Sequence, residues 1–539
     1  MSDFNQLEII ILLLAVVLLL TTVAQRFLIP YPILLVIGGL GLALVPGLPI
    51  IRLDPDLVFL VFLPPILWAA AYFTSLREFR QNIRPISLLA VGLVLATTAA
   101  VAAAARLAFP GMGWAEAVAL GAIVSPPDAI ATTAIARRLR IPRRGVTILE
   151  GESLINDATA LIVYRAAIVA AVSGTFVLGE AVLHFVVAAA GGVLIGLAVG
   201  MMICWVLARM VDTYTEIAIT LLAPYVAWVL AENVHASAVL ACVVGGVYLR
   251  QHFSAIVRPT TRLQARAVWD MLVFVLNGAI FILLGLQLGA LRESVPAGQF
   301  GRLLVVGALI SAIAIVVRLI WVPLAAWIPR VMSRALRARD PMPPWSNLFL
   351  LGWSGLRGIV TLAAALALPV TTAGGTAFPF RAEIILVSFC VILVTLVLQG
   401  LTLAPLIRML HLEEDRGLEQ EEMLARERAA AAALARLDEL GRDGRQQGRI
   451  VPEQHERLRD HYSRRAQRFA ARGTVDPECT LEAAEADRRL RHEALNAERT
   501  ALIGLRNDGT ISDEVLHRLE YELDVEALRL GLADHRVGS

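Results

Sequence analysis

Apolar residues in this chain gather into long runs separated by short polar stretches that carry arginine. A helix needs ~20 apolar residues to cross ~30 Å of hydrocarbon. About thirteen runs reach that order, at 8–26, 31–49, 56–73, 85–108, 114–136, 147–173, 180–209, 215–230, 235–250, 267–291, 302–329, 346–370 and 382–409. They are too long for barrel strands of ~10 residues and lack in/out alternation. The pattern predicts an all-α polytopic membrane protein. Beyond it, residues 410–539 are rich in Ala, Arg, Glu and Leu with breaks near Gly441 to Gly448, Pro452, Gly473 to Pro477 and Gly509, which predicts a helical tail. In that tail Ser512 is placed to cap a helix carrying Val515, Leu516, Leu519 and Leu523. The domain division expected is therefore 1–409 in the membrane and 410–539 in the cytoplasm.

Loop charges test the count and give it a direction. Loops after odd-numbered runs hold eighteen arginines, including Arg77, Arg80, Arg84, Arg143, Arg144, Arg250, Arg262 and Arg330; loops after even-numbered runs hold four, Arg52, Arg292, Arg302 and Arg381. The positive-inside rule then puts the N-terminus outside and the tail in the cytoplasm. The first run has no basic region before it and no small-residue cleavage site after it, so it is expected to be a span and not a removed leader.

Composition agrees: 57% of the 539 residues are hydrophobic and 17% charged, against usual values of ~45–50% and ~25%. The total charge of +2 averages a membrane part of net +9 with a tail of net −7 and points to no nucleic-acid partner. All 48 basic residues are arginine, which excludes Schiff-base lysine chemistry. Cys204, Cys242, Cys390 and Cys479 lie far apart and are expected to be packing residues. Neither a nucleophile or metal constellation in the spans nor a nucleotide motif occurs, so neither an enzyme nor a cofactor is expected.

Ionisable side chains at the bilayer centre are costly and so mark function. Asp128, Asp157 and Arg357 reach the midplane of runs 5, 6 and 12 by counting residues at ~1.5 Å each. Around two of them the backbone is interrupted, by Ser125-Pro126-Pro127-Asp128 and by three glycines in Gly352-Trp353-Ser354-Gly355-Leu356-Arg357-Gly358. Interrupted spans at matching positions of two halves point to a transporter's site. In run 6, Glu150, Ser153 and Asp157 share one helical stripe, with Glu152 and Asn156 on a second. Depth makes Arg357 the expected partner of Glu152, while Arg165 and Arg318 are expected to snorkel or to neutralise a carboxylate. His184 and His235 receive no role.

Gly151-Glu152-Ser153-Leu154-Ile155-Asn156-Asp157, the Ser-Pro-Pro-Asp break, Gly355-Leu356-Arg357-Gly358 and Phe62-Leu63-Pro64-Pro65-Ile66-Leu67 resemble the monovalent cation:proton antiporter family, in its bacterial sodium/proton exchanger form, over roughly residues 8–410. The resemblance implies thirteen spans, two inverted six-helix repeats with crossed discontinuous helices, a homodimer, and a bacterial inner membrane location. It implies that the aspartate matching Asp157 binds cation and proton in competition, that Asp128, Ser153 and Asn156 complete the ion site, with Asp157, Asp128 and Ser153 as metal-ion ligands, and that Glu152 and Arg357 hold the scaffold. Asn156 before the aspartate implies electroneutral exchange of Na⁺ or Li⁺ for H⁺. Two departures stand out: Pro127 occupies the position of the usual threonine, with Ala129 where proline is usual, and Trp68 to Ala71 offer no carboxylate where some members have an acid. K⁺/H⁺ exchange is the alternative within the carrier class, and a cation channel the alternative outside it.

Overall fold

The computed structural model describes residues 6–27, 30–46, 51, 53–128, 142–174, 178–294, 297–372, 375–410, 417–447 and 452–471, with short pieces between 494 and 526. Among these the chain is helical, the only extended pairing being a bridge between Thr371 and Ala377. The helices in order are α1 Gln6–Phe27, α2 Tyr31–Ala43, α3 Pro55–Phe73, α4 Leu76–Gln81, α5 Ile83–Ala108, α6 Trp114–Val124, α7 Arg143–Ser173, α8 Leu178–Leu207, α9 Thr213–Asn233, α10 Ala238–Ile256, α11 Pro259–Ser294, α12 Ala297–Met332, α13 Arg334–Arg339, α14 Trp345–Trp353, α15 Ile359–Leu366 and α16 Arg381–Met409. Among the described residues eight of these (α3, α5, α7, α8, α9, α11, α12 and α16) are long and apolar enough to cross a membrane, and α1, α2, α6 and α10 carry shorter apolar segments.

Local chemistry explains the irregular turns. In α3, Pro64 and Pro65 leave the carbonyls of Leu60 and Val61 without helical donors. The preceding turn widens over Val58–Phe62, and the Tyr225 hydroxyl donates to the Val61 carbonyl at 3.3 Å. In α5 the turn widens over Leu88–Leu93, where the Trp321 indole N–H donates to the Leu88 carbonyl at 3.1 Å. Such widened turns recur where a side chain inserts into the helical ladder.

Helices approach closely where side chains vanish. A Cβ on Gly39 of α2 would strike the Ile282 carbonyl of α11, and one on Gly285 would strike the Val36 carbonyl. Small-residue contacts of this kind let apolar helices pack in lipid, where burial of apolar surface drives nothing.

The chain separates into two compact units, 1–415 and 416–539. In the second, α17 Gly417–Gln447 packs against α18 Pro452–Ala471, with the Arg459 guanidinium 2.9 Å from Asp438 and His455 Nε2 2.8 Å from the Leu437 carbonyl. Of the break expected near Gly441 to Gly448, only the far end is met, because α17 continues through Gly441 and Gly444 to Gln447; isolated glycines cost a helix only ~1 kcal/mol each, and packing on a neighbour offsets that. Ser512, Val515, Leu516 and Cys479 lie outside the described residues.

Candidate functional site

Helix α6 stops where its hydrogen bonds run out. Pro126 and Pro127 have no N–H to give the carbonyls of Ala122 and Ile123, and the Ser125 hydroxyl takes up the first at 3.0 Å. The next exposed carbonyl, Val124, accepts from Arg357 Nε at 3.1 Å. At the other break, α14 ends at Trp353, and Ser354 returns both its N–H (2.9 Å) and its hydroxyl (2.7 Å) to the Leu350 carbonyl. Arg318 Nε donates to the Leu351 carbonyl at 3.2 Å. Each interrupted helix thus ends on a buried guanidinium, a cation at the negative end of its dipole.

The two breaks are joined directly. The Asp128 N–H donates to the Leu356 carbonyl at 2.6 Å, and Asn156 Nδ2 donates to the Pro127 carbonyl at 2.9 Å. The Arg357 N–H donates to the Thr395 hydroxyl at 3.1 Å, and its Nη1 bonds the Gly355 carbonyl. Unwound backbone survives here because its polar groups find partners inside the protein, the condition for irregular structure at membrane depth.

The carboxylates face one space. Glu150, Ser153 and Asp157, the predicted stripe of α7, line a cavity of about 320 Å³ together with Asp128, Tyr31, Asp270, Asn277 and Thr361. Asp157 is 6% exposed. The Asp128 carboxylate lies against Gly358, where α15 begins; a Cβ on that glycine would collide with it. A carboxylate at this helix start offsets the positive end of the dipole. The second stripe faces protein: Asn156 braces Pro127, and Glu152 meets an arginine.

That arginine corrects an expectation. Depth assigned Glu152 to Arg357, but its partner is Arg318, through a bidentate contact with Nη2 2.8 Å from Oε2. Both side chains are sealed, at 1% and 0% exposure. The reason is local: Arg357 belongs to unwound backbone and spends its guanidinium on the carbonyls of Val124 and Gly355, whereas Arg318 enters sideways from α12. Arg165, for its part, pairs with Glu232 at 2.6 Å. Sequence reasoning passed over Tyr31, Asn277, Thr361 and Thr395. Asn277 had a signal, an amide at the middle of the apolar run 267–291, which also holds Gln287; the hydroxyl of Thr361, buried without a hydrogen-bond partner among the described residues, had none.

The model of the family described as sodium/hydrogen exchanger, transmembrane, matches residues 11–409. The chain belongs to that family. Exchangers of this family are transmembrane antiporters of cations against protons and not enzymes. This exchanger is 36% identical over 534 residues to an uncharacterized Na⁺/H⁺ exchanger of Mycobacterium tuberculosis, covering 97% of this chain and 96% of that one. It is 31% identical over 539 residues to the exchanger YjcE of Escherichia coli, covering 94% and 95%. A sodium, potassium, lithium and rubidium/H⁺ antiporter of Bacillus pumilus is 34% identical over 395 residues, 71% of this chain and 59% of that one. Among solved structures, the sodium proton antiporter MjNhaP1 of Methanocaldococcus jannaschii shares its fold with a TM-score of 0.58 at 17% identity, covering 74% of this chain and 97% of that one.

Proposed function

We propose that the exchanger moves Na⁺, or Li⁺, one for one against H⁺, the two ions competing for Asp157. The observation that carries this reading is the meeting of Asp157 and Asp128 on one cavity where the two helix breaks touch. A carboxylate removed from water holds either a proton or a hard alkali ion on oxygen, and competition for one place couples the two fluxes. Asp128, Ser153 and the hydroxyl of Thr361, which has no hydrogen-bond partner among the described residues, supply further oxygen, Thr361 standing in for the hydroxyl that Pro127 lacks. Asn156 is neutral and engaged with Pro127, so exchanging one monovalent ion for another leaves the site's charge unchanged. Glu152, Arg318 and Arg357 form the scaffold.

This reading carries its architecture with it: thirteen spans in two inverted six-helix repeats, a homodimer, the N-terminus outside and residues 410–539 as a cytoplasmic domain in a bacterial plasma membrane. Transport then follows from rocking of one bundle against the other. The name of the Bacillus relative favours a second reading, in which K⁺ is also carried.

Proteoliposomes settle the matter. Added Li⁺, Na⁺, K⁺ and Rb⁺ are tested separately for proton release, with membrane voltage clamped and unclamped. Release on Na⁺ that ignores voltage is expected, and Asp157→Asn should abolish it. Exchange retained in that variant would remove Asp157 from the mechanism.

A further inference from the structure

Away from the ion cavity, three arginines converge on one carboxylate. Asp340 Oδ2 lies 2.7 Å from Arg84 Nη2 and 2.8 Å from Arg330 Nη2, and Arg144 binds it bidentately at 2.9 and 3.1 Å. Arg330 is 6% exposed and also donates through Nε to the Asp340 carbonyl at 2.9 Å. Three guanidinium charges against one carboxylate leave this cluster at net +2. Its members come from α5, α7 and α12, each from the end of its helix that adjoins the arginine-rich loops.

The same three arginines line a cavity of about 270 Å³ whose other walls include Ile148, Val322 and Leu348. Guanidinium charge and apolar side chains on the walls of one cavity match a molecule that carries a fixed negative group on an apolar body. Basic pockets between membrane helices on the arginine-rich side suit anionic lipid headgroups, and guanidinium forks match phosphate oxygens. We propose that this pocket seats the phosphodiester headgroup of an anionic glycerophospholipid, with an acyl chain against the apolar wall. The lipid braces the ends of α7, which carries Asp157, and α12, which carries Arg318. The assignment is independent of which cation is exchanged.

The test uses the full chain in detergent, following thermal unfolding while dioleoyl-phosphatidylglycerol is titrated in mixed micelles. Phosphatidylglycerol should raise the melting temperature, and dioleoyl-phosphatidylcholine should not. Each arginine near an anionic lipid surface is worth about a fivefold factor, so Arg84→Gln/Arg144→Gln should need roughly thirtyfold more phosphatidylglycerol for the half-maximal shift. Arg84→Lys/Arg144→Lys should stay within a few-fold of the native chain, showing that charge matters and that the fold survives. Asp340→Asn raises the net charge to +3 and should bind at least as tightly although it destroys the ion pairs. The proposal fails if the double Gln variant titrates like the native protein, if Asp340→Asn weakens lipid binding as much as the arginine changes do, or if glycerol 3-phosphate alone reproduces the shift.

Discussion

The Glu152–Arg318 pair offers the sharpest test of the scaffold. Glu152→Gln removes the negative partner of a guanidinium that is 0% exposed and leaves a buried cation facing an amide. Breaking a buried pair from one side costs ~3–5 kcal/mol, because the surviving charge is uncompensated. Spread over a membrane unit of this length, ~4 kcal/mol corresponds to a fall in melting temperature of roughly 5 °C, using the unfolding entropy per residue of soluble domains. Arg318→Gln should cost a similar amount plus the donor lost by Leu351. Double variants decide the pairing: Glu152→Gln/Arg318→Gln should cost little more than the worse single change, whereas Glu152→Gln/Arg357→Gln should show far less compensation. The assay is tryptophan fluorescence during thermal unfolding in detergent, read as differences between variants. Additive costs for Glu152 with Arg318, or strong coupling of Glu152 to Arg357 alone, would refute the assignment.

Other expected outcomes concern the cavity and the loops. Thr361→Val should raise the Na⁺ concentration for half-maximal exchange by about tenfold, the scale of one lost hydrogen-bonding or ligand contact, while Thr361→Ser restores it; equal values in all three proteins would take the hydroxyl out of the site. Gly358→Ala should drive the Asp128 carboxylate off the start of α15, so exchange should fall by at least tenfold in a protein that still purifies as a folded species, and near-native rates would show that Asp128 has room to move. Asn156→Asp should remove the donor to the Pro127 carbonyl and place a third acid at the breaks, with exchange becoming voltage-sensitive or lost; voltage-independent native flux would deny Asn156 its role. Burial raises the Asp340 carboxyl, but the hydrogen bonds and charges of Arg144 and Arg330 together outweigh it, taking the group from the ordinary 3.8 to about 2. A lowered acid stabilises the fold above its unfolded value and loses that contribution as pH falls toward the folded one. Thermal stability should therefore drop between about pH 4 and pH 2 in the native chain and drop less in Asp340→Asn; parallel pH profiles would contradict the cluster.

Much of the fold was legible because lipid imposes a one-dimensional rule. A spanning helix must satisfy its own backbone and present apolar side chains on all lipid-facing sides, so apolar runs of the right length and the helices Arg143–Ser173, Ile83–Ala108 and Arg381–Met409 coincide to within a few residues. The two breaks were equally local: paired prolines delete N–H groups wherever they occur, and glycines in close succession weaken a helix in any context. Helical periodicity likewise grouped Glu150, Ser153 and Asp157, which the structure turns onto one cavity.

What contacts what was another matter, since sequence depth ranks residues along the membrane normal and says nothing about azimuth. Arg318 and Arg357 are both deep, yet helix rotation and an unwound turn gave the first to Glu152 and the second to the Val124 and Gly355 carbonyls. Gly358 was readable as a helix breaker but not as the gap that admits Asp128, and Thr361 was one more residue in an apolar run until folding placed it on the cavity that Asp157 and Asp128 line, its buried hydroxyl without a hydrogen-bond partner among the described residues. Periodicity and backbone chemistry act over a few residues and can be read from the chain alone; partnership across α7, α12 and the two breaks depends on how whole helices tilt and turn against one another, and only the packed molecule decides that.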